Sequence, residues 1–184
     1  MTLRSNDRLS LIEPRREFEY SYRSLIEEIK SLREKPVPFP LSFEYARFDE
    51  LLKRLNDDSK GIGIPEGFVA NSSFWLVRDD AEIVGVSNLR HKLTPTLRLD
   101  GGHIGYGIRP SLRSNGFGVE ILRQTLLRAK ALGLTQVLIT CSKNNIATVK
   151  VILANNGVLD SEEYFPPRND FIQRYWIDLG VSAI

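Results

Sequence analysis

The stretch Gly101-Gly-His-Ile-Gly-Tyr-Gly-Ile-Arg-Pro-Ser-Leu-Arg-Ser-Asn-Gly-Phe-Gly118 decides how this chain reads. His103 to Ile108 reads as a strand that ends at Pro110, where a turn is forced. A polar loop from Arg113 to Gly118 then opens a long helix, Gly116 to Leu132, with Val119, Leu122, Leu126 and Ala129 on one side and Gly133 at its stop. Amide N–H groups at a helix start have no partner inside the helix, and the helix dipole favours negative charge there. Gly116 and Gly118 let an anion approach the backbone, and Arg113 adds a positive charge. The loop is therefore an anion cradle; the alternative is an ordinary strand–loop–helix connection with a glycine cap. A P-loop is excluded because G-x-x-x-x-G-K-[ST] is missing. A dinucleotide fingerprint fails because Pro110 follows Gly105-x-Gly107 where the third glycine belongs.

Working outward, Val137 to Cys141 is a continuous apolar run, as in a strand buried on both faces. A helix from Asn145 to Asn155 follows, stopped by Asn156-Gly157, and Phe171 to Leu179 reads as the last strand. Toward the N-terminus, Phe74–Arg78 and Ile83–Ser87 flank a polar turn and predict a hairpin. Tyr22, Leu25, Ile26 and Ile29 mark an amphipathic helix from about Arg15 to Arg33. Phe48, Leu51, Leu52 and Leu55 mark a second. Leu9–Ile12 is a short first strand. The proline run Pro36–Pro40 between the helices is a stiff connector or a lid over an acceptor. The order β-α-α-β-β-β-α-β-α-β-β predicts one α/β domain over residues 1–184, with a mixed central sheet and helices on both faces.

Composition narrows the function classes. With 25 Lys+Arg against 23 Asp+Glu, the formal charge of +2 gives no reason to expect nucleic acid as a partner. A 42% hydrophobic content supports a sizeable core. The single cysteine, Cys141, excludes an internal disulfide framework and a cysteine zinc cluster, and no metal constellation is visible. No apolar run suits a signal peptide or a membrane span, so the expectation is a cytoplasmic protein.

Arg113-Ser-Asn-Gly-Phe-Gly118, preceded by its strand and proline, resembles the R/Q-x-x-G-x-G/A signature of the GNAT family of N-acetyltransferases. Val137–Cys141 and Asn145–Gly157 are similar to that family's fifth strand and following helix. The resemblance implies acetyl-CoA as donor, with the amides of Ser114, Asn115, Gly116, Phe117 and Gly118 on the pyrophosphate and Arg113 beside it. It further implies that main-chain groups of Tyr106 and Ile108 pair with the pantetheine arm, that Asn145 and Thr148 approach it, and that a neutral amine of a small molecule or peptide attacks the thioester directly. Relatives often carry a tyrosine acid seven residues beyond the asparagine; counting from Asn145 reaches Ile152, leaving Tyr106 or Tyr164 for that part. The usual glutamate base falls near Gly102 and His103, and His103 has the intrinsic pKa for the task. His91 could line the acceptor pocket, and Cys141 at a strand end reads as an inert thiol. A non-catalytic acyl-CoA-binding module is the alternative function, and sheet edges leave room for a homodimer.

Overall fold

A computed structural model describes residues 8–180. Four strands, β1 (Leu9–Ile12), β2 (Asn71–Arg78), β3 (Glu82–Arg90) and β4 (Ile104–Ile108), pair in that order as an antiparallel leaf. β5 (Gln136–Ser142), β7 (Asp170–Asp178) and β6 (Val158–Phe165) form a second antiparallel leaf in the order β5-β7-β6. The helices are α1 (Glu19–Ser31), α2 (Phe48–Ser59), α3 (Pro95–Leu99), α4 (Phe117–Ala131) and α5 (Ile146–Ala154). The predicted element order holds, with α3 added. Thr94 caps α3 by accepting from the Leu97 amide at 3.2 Å, and Pro95 opens it; five residues are too few to show an apolar period.

Both faces of the first leaf are covered. Phe74, Leu76 and Val84 pack with Ile121 and Leu122 of α4, whereas Trp75, Val77, Ile83 and Val86 pack with Tyr22, Leu25 and Ile26 of α1 and Leu51 and Leu55 of α2. Alternate side chains of β2 thus enter two separate cores, which is why Phe74 to Val77 is apolar without a break. Each such fully buried side chain contributes roughly 1.5–3 kcal/mol. α1 starts later than its apolar stripe suggests, after a 3₁₀ turn at Arg16–Phe18, and ends before Arg33, which turns left-handed (φ 56°) ahead of Pro36.

The central sheet is parted rather than continuous. β4 ends one leaf, β5 begins the other, and they are pinned near the start of β4. There the His103 amide donates to the Leu138 carbonyl at 2.7 Å, while the Leu138 amide donates to His103 Nδ1 at 2.9 Å. His103 therefore precedes the strand it was expected to open. Gly102 (φ 57°) makes the approach possible: a Cβ there would lie 2.5 Å from the Leu138 carbonyl oxygen. Beyond this pin the facing edges of β4 and β5 run unpaired with one another.

Candidate active site

The open edge of β4 follows from its register. Gly85 faces Ile108, Ser87 faces Tyr106 and Leu89 faces Ile104. The flanking bonds, Arg109 N–H to Val84 and Arg90 N–H to His103, show that these are the non-hydrogen-bonded pairs. Hence the main-chain groups of Tyr106 and Ile108 point away from β3, toward the gap. Their N–H groups meet no protein acceptor among the described residues, and the Ile108 carbonyl accepts only weakly from Arg113 Nε, at 3.3 Å. An extended ligand arm could add itself here as a strand.

At the end of that edge lies the Arg113–Gly118 loop. Ser114 (φ 61°) and Gly116 (φ 90°) are both left-handed, which turns successive amides toward one side. The N–H groups of Ser114, Asn115, Gly116, Phe117 and Gly118 donate to no protein acceptor among the described residues, while Asn115 Nδ2 ties the loop down by donating to the Arg113 and Leu112 carbonyls. Five free amides at the start of α4 form a concave donor surface for an anion. Two of these residues also make structural contacts. Gly118 serves packing, since a Cβ there would meet Val151 Cγ2 of α5 at 3.0 Å. Arg113 turns its fork to Glu34, with bonds of 2.8 and 2.5 Å, and braces the loop against the end of α1. Both partners are partly exposed, so that pair contributes no more than about 1 kcal/mol.

Asn145 caps α5, its Oδ1 accepting from the Thr148 amide at 3.1 Å. Thr148 and Cys141 neighbour the Tyr106 hydroxyl, which is buried and has no hydrogen-bond partner. Burial holds the Tyr106 phenol well above its ordinary pKa, so it keeps its proton at neutral pH. Burial also pushes the Cys141 thiol up to about 11, which leaves it inert. Ile152 is fully buried in the core. Tyr164 is half exposed and bonded to Asn169, on the far edge strand β6.

His103 is 6% exposed, with Nδ1 occupied by the Leu138 amide and its ring edge-on to Trp176. Burial, then the charges of Arg98 and Arg90, push its pKa down to about 4. The unfolded imidazole binds a proton below about pH 6.5, whereas the folded one does so only below about 4. Stability is therefore lost as pH falls through that window. After allowance for partial solvation this amounts to roughly 1–2 kcal/mol at pH 5, or about 3–6 °C in midpoint. His103→Gln should flatten the fall in melting temperature between pH 7 and 5; equal slopes in both proteins would refute the assignment. His91 Nε2 lies 2.9 Å from the Ser72 hydroxyl, at the end of the first leaf, and burial lowers its pKa.

A cavity of about 380 Å³ lies beside the end of β3. Its walls come from Phe39, Phe43, Arg54, Asp58, the 64–71 segment, Asn88, Arg90 and the start of α3. Asn88, one of its walls, pairs with Gly105 in the β3–β4 ladder, which sets the cavity one strand away from the free edge of β4. The proline run roofs this region: a Cβ on Gly107 would meet the Val37 carbonyl oxygen at 2.1 Å, and one on Gly105 would meet Pro38 at 3.4 Å. The run connects α1 to α2, as one of its two readings had it, and it also covers β4. Nothing local in the sequence marked this cavity, because its walls come from separate segments.

The site thus consists of a strand edge without a partner, ending at a helix start with free amides, and a cavity beside β3. Residues 33–157, more than half of the chain, match the model of the acetyltransferase (GNAT) domain, and the chain belongs to that family. No curated protein matches it by sequence. Among solved structures it is similar to Mycobacterium smegmatis RimJ in complex with CoA-disulfide, at TM-score 0.67 and 14% identity over 92% of this chain and 81% of that one. It is also similar to yncA, a putative acetyltransferase from Salmonella typhimurium with its cofactor acetyl-CoA, at TM-score 0.62 and 10% identity over 96% of each chain. A third is a dodecameric spermidine N-acetyltransferase from Vibrio cholerae, at TM-score 0.61 and 15% identity over 93% of this chain and 94% of that one. These likenesses establish the fold. Among the described residues no helix is long and apolar enough to cross a membrane.

Proposed function

We propose that this protein transfers the acetyl group of acetyl-CoA directly to an amine. The observation that carries this reading is the free-amide surface from Ser114 to Gly118, placed at the end of the unpaired edge of β4. Residues fit the donor in turn: the loop amides hold the pyrophosphate, and the Tyr106 and Ile108 main chain pairs with the pantetheine arm. A β4 amide facing the gap polarises the thioester carbonyl. Asn145 and Thr148 flank the arm from α5. The acceptor enters from the cavity beside β3. Its nitrogen lone pair attacks the carbonyl carbon, the C–S bond breaks, the thiolate takes a proton from Tyr106, and the proton shed by the acylated nitrogen restores the phenol. Cys141 is buried and protonated, so no acyl-enzyme forms on it.

His103 enters this scheme as a positioning residue that fixes the two leaves, because its free lone pair is already engaged. The amine must then arrive neutral. The expected pH profile of kcat/KM therefore rises with unit slope until the acceptor's own pKa, since His103 (about 4) and Cys141 (about 11) titrate outside that range. The measurement is CoA release from acetyl-CoA over pH 6–9 with amines of different pKa. An inflection fixed near 6–7 for every amine would restore a histidine base.

A non-catalytic acyl-CoA binder is the second reading, favoured by Ile152 lying buried where relatives often carry the tyrosine acid. It predicts donor binding with no CoA release from any amine. Pairing of two copies would use the edge strand β6, where Val158, Leu159 and Tyr164 are exposed, and sedimentation decides it.

A further inference from the structure

The cavity beside β3 contains an unbalanced buried cation. Arg90 is largely buried, and its Nη1 donates to the carbonyls of Gly101 at 2.7 Å and Gly102 at 3.1 Å. Its Nε and Nη2, the side-on fork that matches a carboxylate or phosphate, meet no acceptor among the described residues, and Arg90 lines the open cavity. Among the described residues no carboxylate lies within ion-pair distance of it: Asp100 attracts it from farther away and is itself engaged by Arg168 at 2.7 Å. Burial lowers the pKa of Arg90, the sign of a charge short of compensation. The other charges facing the cavity are Arg54 and Asp58 of α2. Arg54 lies over the Phe43 ring at 3.4 Å and offsets the burial that raises the Asp58 pKa, so the two roughly cancel.

A second polar group is oriented by a chain of hydrogen bonds. The Val69 carbonyl only accepts, so it must face the Asn71 amide nitrogen, at 3.1 Å. Asn71 Oδ1 is then left to accept from Asn88 Nδ2, at 2.6 Å, and that nitrogen also reaches the Ser73 hydroxyl at 3.3 Å. The outcome leaves Asn88 Oδ1 as a free acceptor in the cavity wall, beside Gly105 of β4. Asn88 and Arg90 share one face of β3, two residues and ~6.7 Å apart along the strand. One group accepts from an amine; the other holds an anion.

From this we infer that the acceptor is a small amine that also carries a carboxylate or phosphate, with Asn88 Oδ1 taking an amine N–H and the Arg90 fork taking the anion. The exposed Phe39 and Phe68, with the buried Phe43 against Phe39, favour an apolar body on the ligand beside those polar groups. The inference rests on the acetyl-transfer reading and narrows its acceptor.

The test is CoA release with matched pairs: L-phenylalanine against L-phenylalaninamide, and O-phosphoethanolamine against ethanolamine, with spermidine as a polycation. The two pairs distinguish the carboxylate from the phosphate. At least one anionic member should exceed its neutral partner at least tenfold in kcat/KM, compared at pH values where each has the same neutral-amine fraction. Arg90→Gln should lower kcat/KM for the preferred anion about a hundredfold and for its neutral partner less than threefold. Arg90→Lys should restore part of the preference. Arg90 also holds two carbonyls, so the melting-temperature rise with acetyl-CoA serves as the check of folding; a purely structural part would lower both members alike and overturn the inference. Turnover of only neutral amines or spermidine would overturn it while leaving acetyl transfer standing. Donor binding without turnover of any amine would overturn both.

Discussion

Gly116→Asp is expected to abolish the stabilisation that acetyl-CoA confers, while Gly116→Asn keeps most of it. At a hundredfold excess over Kd a ligand stabilises by about 2.7 kcal/mol, or roughly 5–10 °C for a domain of this size. Gly116 sits at φ 90° as the residue capping α4, amid the five free amides. Asp and Asn have nearly the same shape, and both tolerate the left-handed region better than other side chains, so their backbone cost is closely matched. They differ in charge. A carboxylate ~4 Å from a phosphate repels it by about 4 kcal/mol at an effective dielectric near 20, which weakens binding more than a hundredfold. Melting curves of the three proteins with and without acetyl-CoA decide the matter. Equal shifts in Asp and Asn variants would mean that no anion rests on this loop.

The second large effect concerns the pin between the leaves. Gly102→Ala is expected to cost about 2–5 kcal/mol, a sizeable part of the 5–15 kcal/mol typical of a domain. Two terms contribute. An alanine at φ 57° costs ~1–2 kcal/mol. Its Cβ would also stand 2.5 Å from the Leu138 carbonyl and 3.2 Å from the Ile139 Cα, both strand backbone that yields little. Gly133→Ala separates the terms: that glycine has φ 91° at the end of α4, but a Cβ there meets nothing within 4 Å. It should lose only the conformational part, about 1 kcal/mol. Chemical denaturation of both variants checks this. Similar losses in the two would show that the leaves are not pinned together at this close contact.

The cradle was legible because its determinants are local. Pro110, the polar loop and the stripe of α4 lie within about 25 residues, and each fixes backbone geometry wherever it occurs. The parting of the sheet was not, because Val137–Cys141 is apolar whether β4 runs beside it along its length or touches it once. His103 shows the same limit from the chemical side. Its intrinsic pKa suggested a base, but the burial that chiefly depresses that pKa, and the Leu138 amide that fills Nδ1 from 35 residues away in sequence, are set by the fold alone. Arg90 sat in a polar strand end, Leu89-Arg-His-Lys92, with nothing to mark it as an inward cation. Its significance depends on Gly101, Gly102 and the cavity meeting around it.

Gly105 and Gly107 have a consequence for how the two substrates sense one another. Being two apart, they leave one face of β4 without side chains, and the Val37–Pro38 backbone lies directly on it. The next residue, Phe39, is a wall of the cavity proposed for the acceptor, while Tyr106 and Ile108 on the free edge of the same strand are the groups proposed for the donor. A single strap thus bears on both binding events. Whatever free energy one substrate gains by settling that strap is returned to the other, so each should tighten the other's binding by the same factor.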